Sequence, residues 1–384
     1  MLNTSGIGKD PKHGRNHDRE KKLWHDGGRN MPSLGCSACH DRETCGGLRI
    51  EQAFFDCLSN CCGQPESCDS VCRMKPSEFT RRVREVAGFG LDNITRAERL
   101  PEPALPKVAP VLFHGNSREG RFAASTVCLP LYRVIARHTG EERYADADAI
   151  AAAFRFEAGT PLILTGTADD RPLERWWSLG SGRLDAIHRL RDFGVALVTT
   201  PNYSMFTDRP RWDDMHSMKR IAIVHEEFLR AGLPAALHVN ARTGHDWERW
   251  TEYIRRRSEV THLAFEFATG AGWADRIDWH AARLADLAQA VGRPLHLVVR
   301  AAGGDILPKL ISAFAHVTVL DTTSFIKTLH RQRAVETEAG GIRWDTSPTA
   351  PNAPIDELLT YNWSVVSRSF DPAFENTAFR QAAE

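Results

Sequence analysis

Beyond residue 107 the chain alternates short, continuous runs of Val, Ile, Leu and Ala with longer stretches whose apolar positions recur every three or four residues. The runs fall at residues 108–114, 162–165, 195–200, 235–239, 263–267, 295–300 and 317–320, with a weaker eighth at 342–344. Strands covered on both faces need such uninterrupted apolar runs, whereas strands with one wet face alternate. The intervening periodic stretches predict helices at 184–193, 215–231, 247–256, 273–291 and 306–314. Gly194, Gly232 and Gly292 each close a predicted helix where a left-handed residue is wanted, and Pro234 and Pro294 then bar its continuation. Eight strands with helices between most of them predict an α/β fold, a (β/α)8 TIM-type barrel, over a doubly wound sheet. No GxGxxG or GxxxxGK[ST] follows the first strand, which disfavours dinucleotide binding and P-loop ATPase activity.

The segment before the barrel has a different texture. Pro101, Pro103 and Pro106 make residues 100–107 an extended linker and a domain boundary. Residues 1–33 are polar and carry many basic residues, among them Lys9, Lys12, Arg15, Lys21 and Lys22, without apolar periodicity, and are expected to form a flexible basic arm. Residues 34–99 form a small cysteine-rich module with a helical extension, residues 108–370 the barrel and residues 371–384 a tail. Overall, 49 Lys+Arg balance 49 Asp+Glu in 384 residues, which argues against a wholesale polyanion binder and leaves room for local basic patches. No window approaches the roughly 18 apolar residues that span a bilayer. The polar N-terminus lacks the apolar core of a secretory signal, so a cytoplasmic protein that makes no use of a membrane is expected.

Eight of the nine cysteines lie within 37 residues, as Cys36-x2-Cys39-x5-Cys45 and Cys57-x3-Cys61-Cys62-x5-Cys68-x3-Cys72. In a reducing compartment such clustering points to metal-ligating thiolates more than to disulfides. The CxxC step favours zinc, while the irregular three and five spacings and the adjacent Cys61-Cys62 pair suit an iron–sulfur cluster of the 4Fe-4S type; both identities stand open. His40 can replace one ligand. Cys128 stands alone in an apolar context and is expected to be a buried, inert thiol.

In a (β/α)8 barrel the chemistry sits where strands end, so the strand list also yields candidate site residues. His114, Asn116 and Arg118 follow the first run, Asp169 the second, Asn202, Tyr203 and Ser204 the third, and Asn240 and Arg242 the fourth; Glu266, Arg300 and Asp321 end later runs. Glu266, Asp169 and Asp321 are candidate catalytic carboxylates, and the arginines suit binding of phosphate or carboxylate. Each polar residue taken singly serves equally well as a helix cap, Asp169 and Asp321 included. Glu266 within Phe265-Glu266-Phe267 stands out, since a carboxylate at a buried strand end needs a partner. Trp176, Trp177, Tyr203, Phe206, Trp212, Trp273 and Trp344 recur on the same loops, where they can stack nucleobases or pack against helices.

Two stretches resemble the tRNA-guanine transglycosylases and the related DNA 7-deazaguanine transglycosylases. Leu162-Ile163-Leu164-Thr165-Gly166-Thr167 resembles the strand of that family ending in Thr-Asp-Ser-Gly-Gly, with Gly166 in place of the aspartate. Val319-Leu320-Asp321 with downstream Arg331 and Arg333 resembles the strand that bears the family's nucleophile. Residues 195–270, with Pro201-Asn202-Tyr203-Ser204-Met205-Phe206, Asp208, Arg209, Pro210, Arg220 and Gly232, are also similar to an uncharacterised prokaryotic and phage family. The resemblance implies a barrel enzyme that exchanges guanine or cleaves a glycosidic bond, with DNA, tRNA or a nucleobase as partner. It assigns Asp321 as nucleophile, Asp169 or Glu266 as acid/base, Arg242 and Arg300 as phosphate or base contacts, and Tyr203 as a stacking surface. The alternatives are an iron–sulfur redox enzyme and a non-catalytic, metal-stabilised nucleic-acid-binding subunit working with partner proteins in a defence or DNA-modification system.

Overall fold

The structure, a computed structural model, describes residues 31–32, 49–50, 82–136, 141, 143–205, 211–267, 274–304, 306–338, 341–350 and 352–375. The eight clustered cysteines, most of the basic arm, and Phe206, Asp208, Arg209, Pro210 and Trp273 lie outside the described residues. Before the barrel, β1 (Met31–Pro32) pairs antiparallel with β2 (Arg49–Ile50).

Eight parallel strands follow: β3 (Val108–Pro110), β4 (Val127–Pro130), β5 (Leu162–Thr165), β6 (Val195–Thr199), β7 (Ala235–His238), β8 (His262–Glu266), β9 (His296–Arg300) and β10 (His316–Asp321). Each pairs with its neighbours in sequence from β4 to β10, and β10 returns to pair with β3. A parallel bridge between Val111 and Cys128 joins β3 to β4, where the Leu112 N–H donates to the Cys128 carbonyl at 2.9 Å and closes the ring. This is the expected TIM-type architecture. The helices that cover it are α1 (Leu131–Val134), α2 (Ala147–Phe154), α3 (Asp170–Ser178), α4 (Gly182–Asp192), α5 (Arg211–Arg230), α6 (Gly244–Arg255), α7 (Ala274–Val291), α8 (Ile306–Ala313), α9 (Thr323–Leu329) and α10 (Asp356–Arg368). Gly194, Gly232 and Gly292 stand at φ of 72°, 80° and 68° behind α4, α5 and α7, the left-handed conformation that stops a helix.

The strand census differs from the sequence expectation at two places. Val127–Pro130 is a barrel strand, although its four residues end in a proline that cannot donate to a ladder. Residues 342–344 are no barrel strand: they belong to β12 (Ile342–Thr346), which forms an antiparallel hairpin with β11 (Gln332–Glu336) outside the barrel. The hairpin is tied to α10 by Asn362, buried and fully used: its Oδ1 accepts from the Ala334 N–H, and its Nδ2 donates to Thr328 Oγ1 and the Gln332 carbonyl, each at 2.8 Å.

Residues 82–97 run as a strap over α5 and α6. Its carbonyls are met by buried cations: Lys219 donates to Gly90 O and Asn93 Oδ1, Arg249 to Phe89 O at 2.7 Å, and Arg257 to Ile94 O and, at 3.1 Å, to Thr95 O. On the barrel's outside, α5 buries Lys219 and His216 against this strap, His216 Nε2 standing 2.9 Å from Glu85 Oε2, while buried Arg220 turns to Glu174 and Tyr203. The linker beyond closes the barrel's N-terminal end, where Leu105 packs on the interior cluster and Thr318 Oγ1 donates to the Pro106 carbonyl at 2.7 Å.

Candidate active site

Strand register decides which side chains enter the barrel. Ala109, Val111, Cys128, Ile163, Leu197, Ala236, Ala264, Val298 and Leu320 form one interior cluster, and their neighbours at odd offsets pack outward on the helices. Following the pairing around the tilted strands stacks interior residues in layers from alternate strands. Cys128, Thr199, Ala264 and Leu320 make one layer. Val111, Thr165, His238 and Arg300 make the next towards the C-terminal mouth, and Glu266 stands in the layer above that. Small residues beneath a histidine, an arginine and a glutamate place the polar groups at the mouth.

Glu266 and Arg300 are directly paired across β8 and β9, and Arg300 Nε stands 2.5 Å from Glu266 Oε2. The glutamate is buried, and the arginine side chain keeps 20% of its exposure, so the pair is reachable from the mouth through Arg300. Ala301, the next residue, holds φ at 58°. Left-handed backbone at a residue with a Cβ is uncommon and gathers at functional sites.

His238 is the residue that the sequence reading missed. It is 4% exposed, and neither ring nitrogen has a hydrogen-bond partner among the described residues. Burial, with smaller contributions from Arg300 and Arg242, lowers its pKa to about 3, so the imidazole is neutral at physiological pH. Burial likewise raises the Cys128 thiol to about 12, with Arg300 opposing, and the expectation of an inert thiol holds.

Asn202, Tyr203, Ser204, Asn240 and Arg242 come together as a scaffold tying the loops after β5, β6 and β7. Asn202 Oδ1 accepts from the Ala168 N–H at 3.3 Å, and Ser204 Oγ donates to Asp170 Oδ1 at 2.5 Å. Asn240 Nδ2 donates to the Tyr203 carbonyl at 2.9 Å and Arg242 Nε to the Met205 carbonyl at 2.8 Å. The Tyr203 ring is wholly buried beneath the Arg220 guanidinium, 4.0 Å from its centroid, with Trp177 edge-on at 6.1 Å, so its faces are occupied by protein. Burial pushes its phenol well above the ordinary range. Gly166 is the hinge of this scaffold: a Cβ there would lie 2.4 Å from the Thr199 carbonyl oxygen, and its N–H donates to Thr199 Oγ1 at 2.9 Å. The close crossing of the β5 and β6 ends accounts for a glycine at the position compared above with an aspartate.

Five other candidates face elsewhere. Asp321 follows inward-facing Leu320, so it points outward, and it caps α9: its Oδ1 accepts from the Thr323 N–H at 2.8 Å, and its Oδ2 accepts from the Ser324 N–H at 3.2 Å and from the Ser324 hydroxyl. Burial raises its pKa and these bonds oppose the rise. Arg118 closes the C-terminus of α2, donating to the Phe154 carbonyl at 3.0 Å and to Arg155 O, with Nε 3.5 Å from Asp356. His114 packs edge-on against Phe325, and burial lowers its pKa. Asp169 occupies the N-cap of α3, exposed and without a side-chain capping bond; Asn116 is exposed in the loop after β3.

Among the described residues, no three His, Cys, Asp or Glu side chains are grouped to hold a metal ion, and no helix is long and apolar enough to cross a membrane. No protein-family model matches the chain, and comparison with curated proteins finds no match.

Proposed function

We propose that the C-terminal mouth of the barrel is the active site of an enzyme that cleaves or exchanges a glycosidic bond in a nucleobase-bearing substrate. The observation that carries this reading is the Glu266–Arg300 pair at the ends of adjacent strands, facing the barrel interior. An arginine-paired carboxylate is an acceptor, suited to take the proton of an attacking water or incoming base. As the new bond to the sugar carbon forms, the C–N bond to the departing base breaks and its electron pair leaves with the base. Arg300, partly exposed, offers N–H groups to the substrate beside that carboxylate. The helix-capping bonds of Asp321 favour this single displacement over a covalent aspartyl intermediate. The nucleic-acid part of the reading draws support from the resemblance of residues 162–167 and 319–321 and from the basic arm.

The cysteine module is proposed as a separate unit holding an iron–sulfur cluster or zinc; no chemical step at the mouth is routed through it. The reading is tested by assaying release of free guanine from DNA and from tRNA with the whole chain and with Glu266→Gln. Loss of about a hundredfold or more in the variant is expected, and equal rates overturn the assignment.

A further inference from the structure

A folded protein rarely leaves both nitrogens of a buried imidazole without a partner, because each abandons a hydrogen bond to water on folding. His238 does so within the layer it shares with Arg300, one layer below Glu266 and one above Cys128, Thr199, Ala264 and Leu320. Its N–H on β7 is engaged, donating its backbone proton to Thr200 Oγ1 at 2.8 Å, so the strand position is fixed while the ring is unused. A phenylalanine or leucine would fill the same place without abandoning two polar atoms, and for packing alone histidine is the worse choice.

We propose that His238 is a substrate-contacting residue that hydrogen-bonds an uncharged group offering a donor and an acceptor together, as the lactam edge of a nucleobase does. The proposal rests on the glycosidic reading of the mouth and names the part of the substrate that enters deepest. Charge selects the class. Glu266 and Arg300 form an ion pair and the imidazole is neutral, so these three groups add no net charge of their own, with the Arg242 guanidinium the other charge acting on the ring. An anion there would meet the Glu266 carboxylate, and a cation would meet the Arg300 guanidinium, each after losing its hydration. A planar neutral edge meets acceptors on Glu266, donors on Arg300 and one of each on His238.

The test measures binding of hypoxanthine, a base with that lactam edge, to the whole chain by calorimetry, with inorganic phosphate as the charged competitor and the thermal midpoint of each variant as the check on folding. His238→Phe is expected to keep or raise the midpoint and to weaken hypoxanthine by roughly tenfold or more. His238→Asn, which still offers a donor and an acceptor, is expected to bind more tightly than the phenylalanine variant. Phosphate is expected not to compete. Equal affinity of wild type and His238→Phe overturns the role of His238, as does equal weakening in both variants or displacement of the base by phosphate. The two readings fail separately: unchanged binding in His238→Phe beside an inactive Glu266→Gln removes only the base contact, whereas a fully active Glu266→Gln removes the catalytic mouth.

Discussion

At the scale of single residues, the account turns on which way a strand-end side chain points. Glu266 stands out in the sequence as a carboxylate at a buried strand end, and Asp321 is the nucleophile that the resemblance implies. Parity separates them, since Ala264 and Leu320 face the barrel interior, which turns Glu266 inward and Asp321 out. The same parity turns His238 inward above Ala236, a signal present in the sequence once one inward residue per strand is known. It could not be read earlier, because continuous apolar runs carry no alternation from which to set it. Two variants follow. Arg300→Met takes the guanidinium of the ion pair from the buried Glu266 carboxylate and is expected to cost about 3 kcal/mol in urea unfolding, the lower end for broken buried pairs because the arginine keeps some exposure. Asp321→Ala removes the cap of α9 and is expected to cost about 1 kcal/mol while leaving base release intact. A large loss of activity in Asp321→Ala at unchanged stability would restore it to the chemistry.

At the scale of elements, seven of the eight barrel strands are visible as apolar runs. The one overlooked, β4, is four residues long and ends in Pro130, so both its length and its punctuation read as loop. The run at 342–344, counted in its place, is a surface hairpin whose residues are half-buried or exposed. Of the strap at 82–97 only a helical extension was legible; its seat, with Val86, Phe89, Leu91 and Ile94 buried and its carbonyls met by cations, had its clue in Lys219 of α5 and Arg249 of α6. Arg257→Met takes the donors from the carbonyls of Ile94 and Thr95. The expected result in limited proteolysis is early cleavage within residues 82–97, with the barrel's far-ultraviolet dichroism retained. Resistance equal to the wild type would show that the strap is held by its apolar contacts alone.

At the scale of the whole molecule, the barrel buries neutral histidines in several places. Burial lowers His225 and His262 to about 4 and His238 to about 3. The unfolded chain therefore binds protons that the folded chain refuses as pH falls below about 6.5. Stability is complete above that pH and is lost as pH drops towards 4, so thermal midpoints are expected to be level at neutral pH and to fall steeply across that window. A flat profile would mean that these rings are hydrated in the folded state. His262 also stands in a row with His296 and His316 at the N-terminal end of the barrel, ring centroids 4.6 Å and 5.8 Å apart along the row, and these neighbours add to the effect of burial in lowering His262. The barrel was legible because it rests on periodicity, while the cysteine-rich module expected before it lies outside the described residues. The site was half legible, because Glu266 and Arg300 are conspicuous at their strand ends, while Arg118 and Tyr203 are claimed by helix ends and core packing. The central claim is that the interior carboxylate of β8 performs the chemistry. It is tested most directly by the rate of guanine release from DNA and tRNA by Glu266→Gln beside the wild-type chain, assayed well below the variant's thermal midpoint: a loss of about a hundredfold or more is predicted, and wild-type rates in the variant would contradict it.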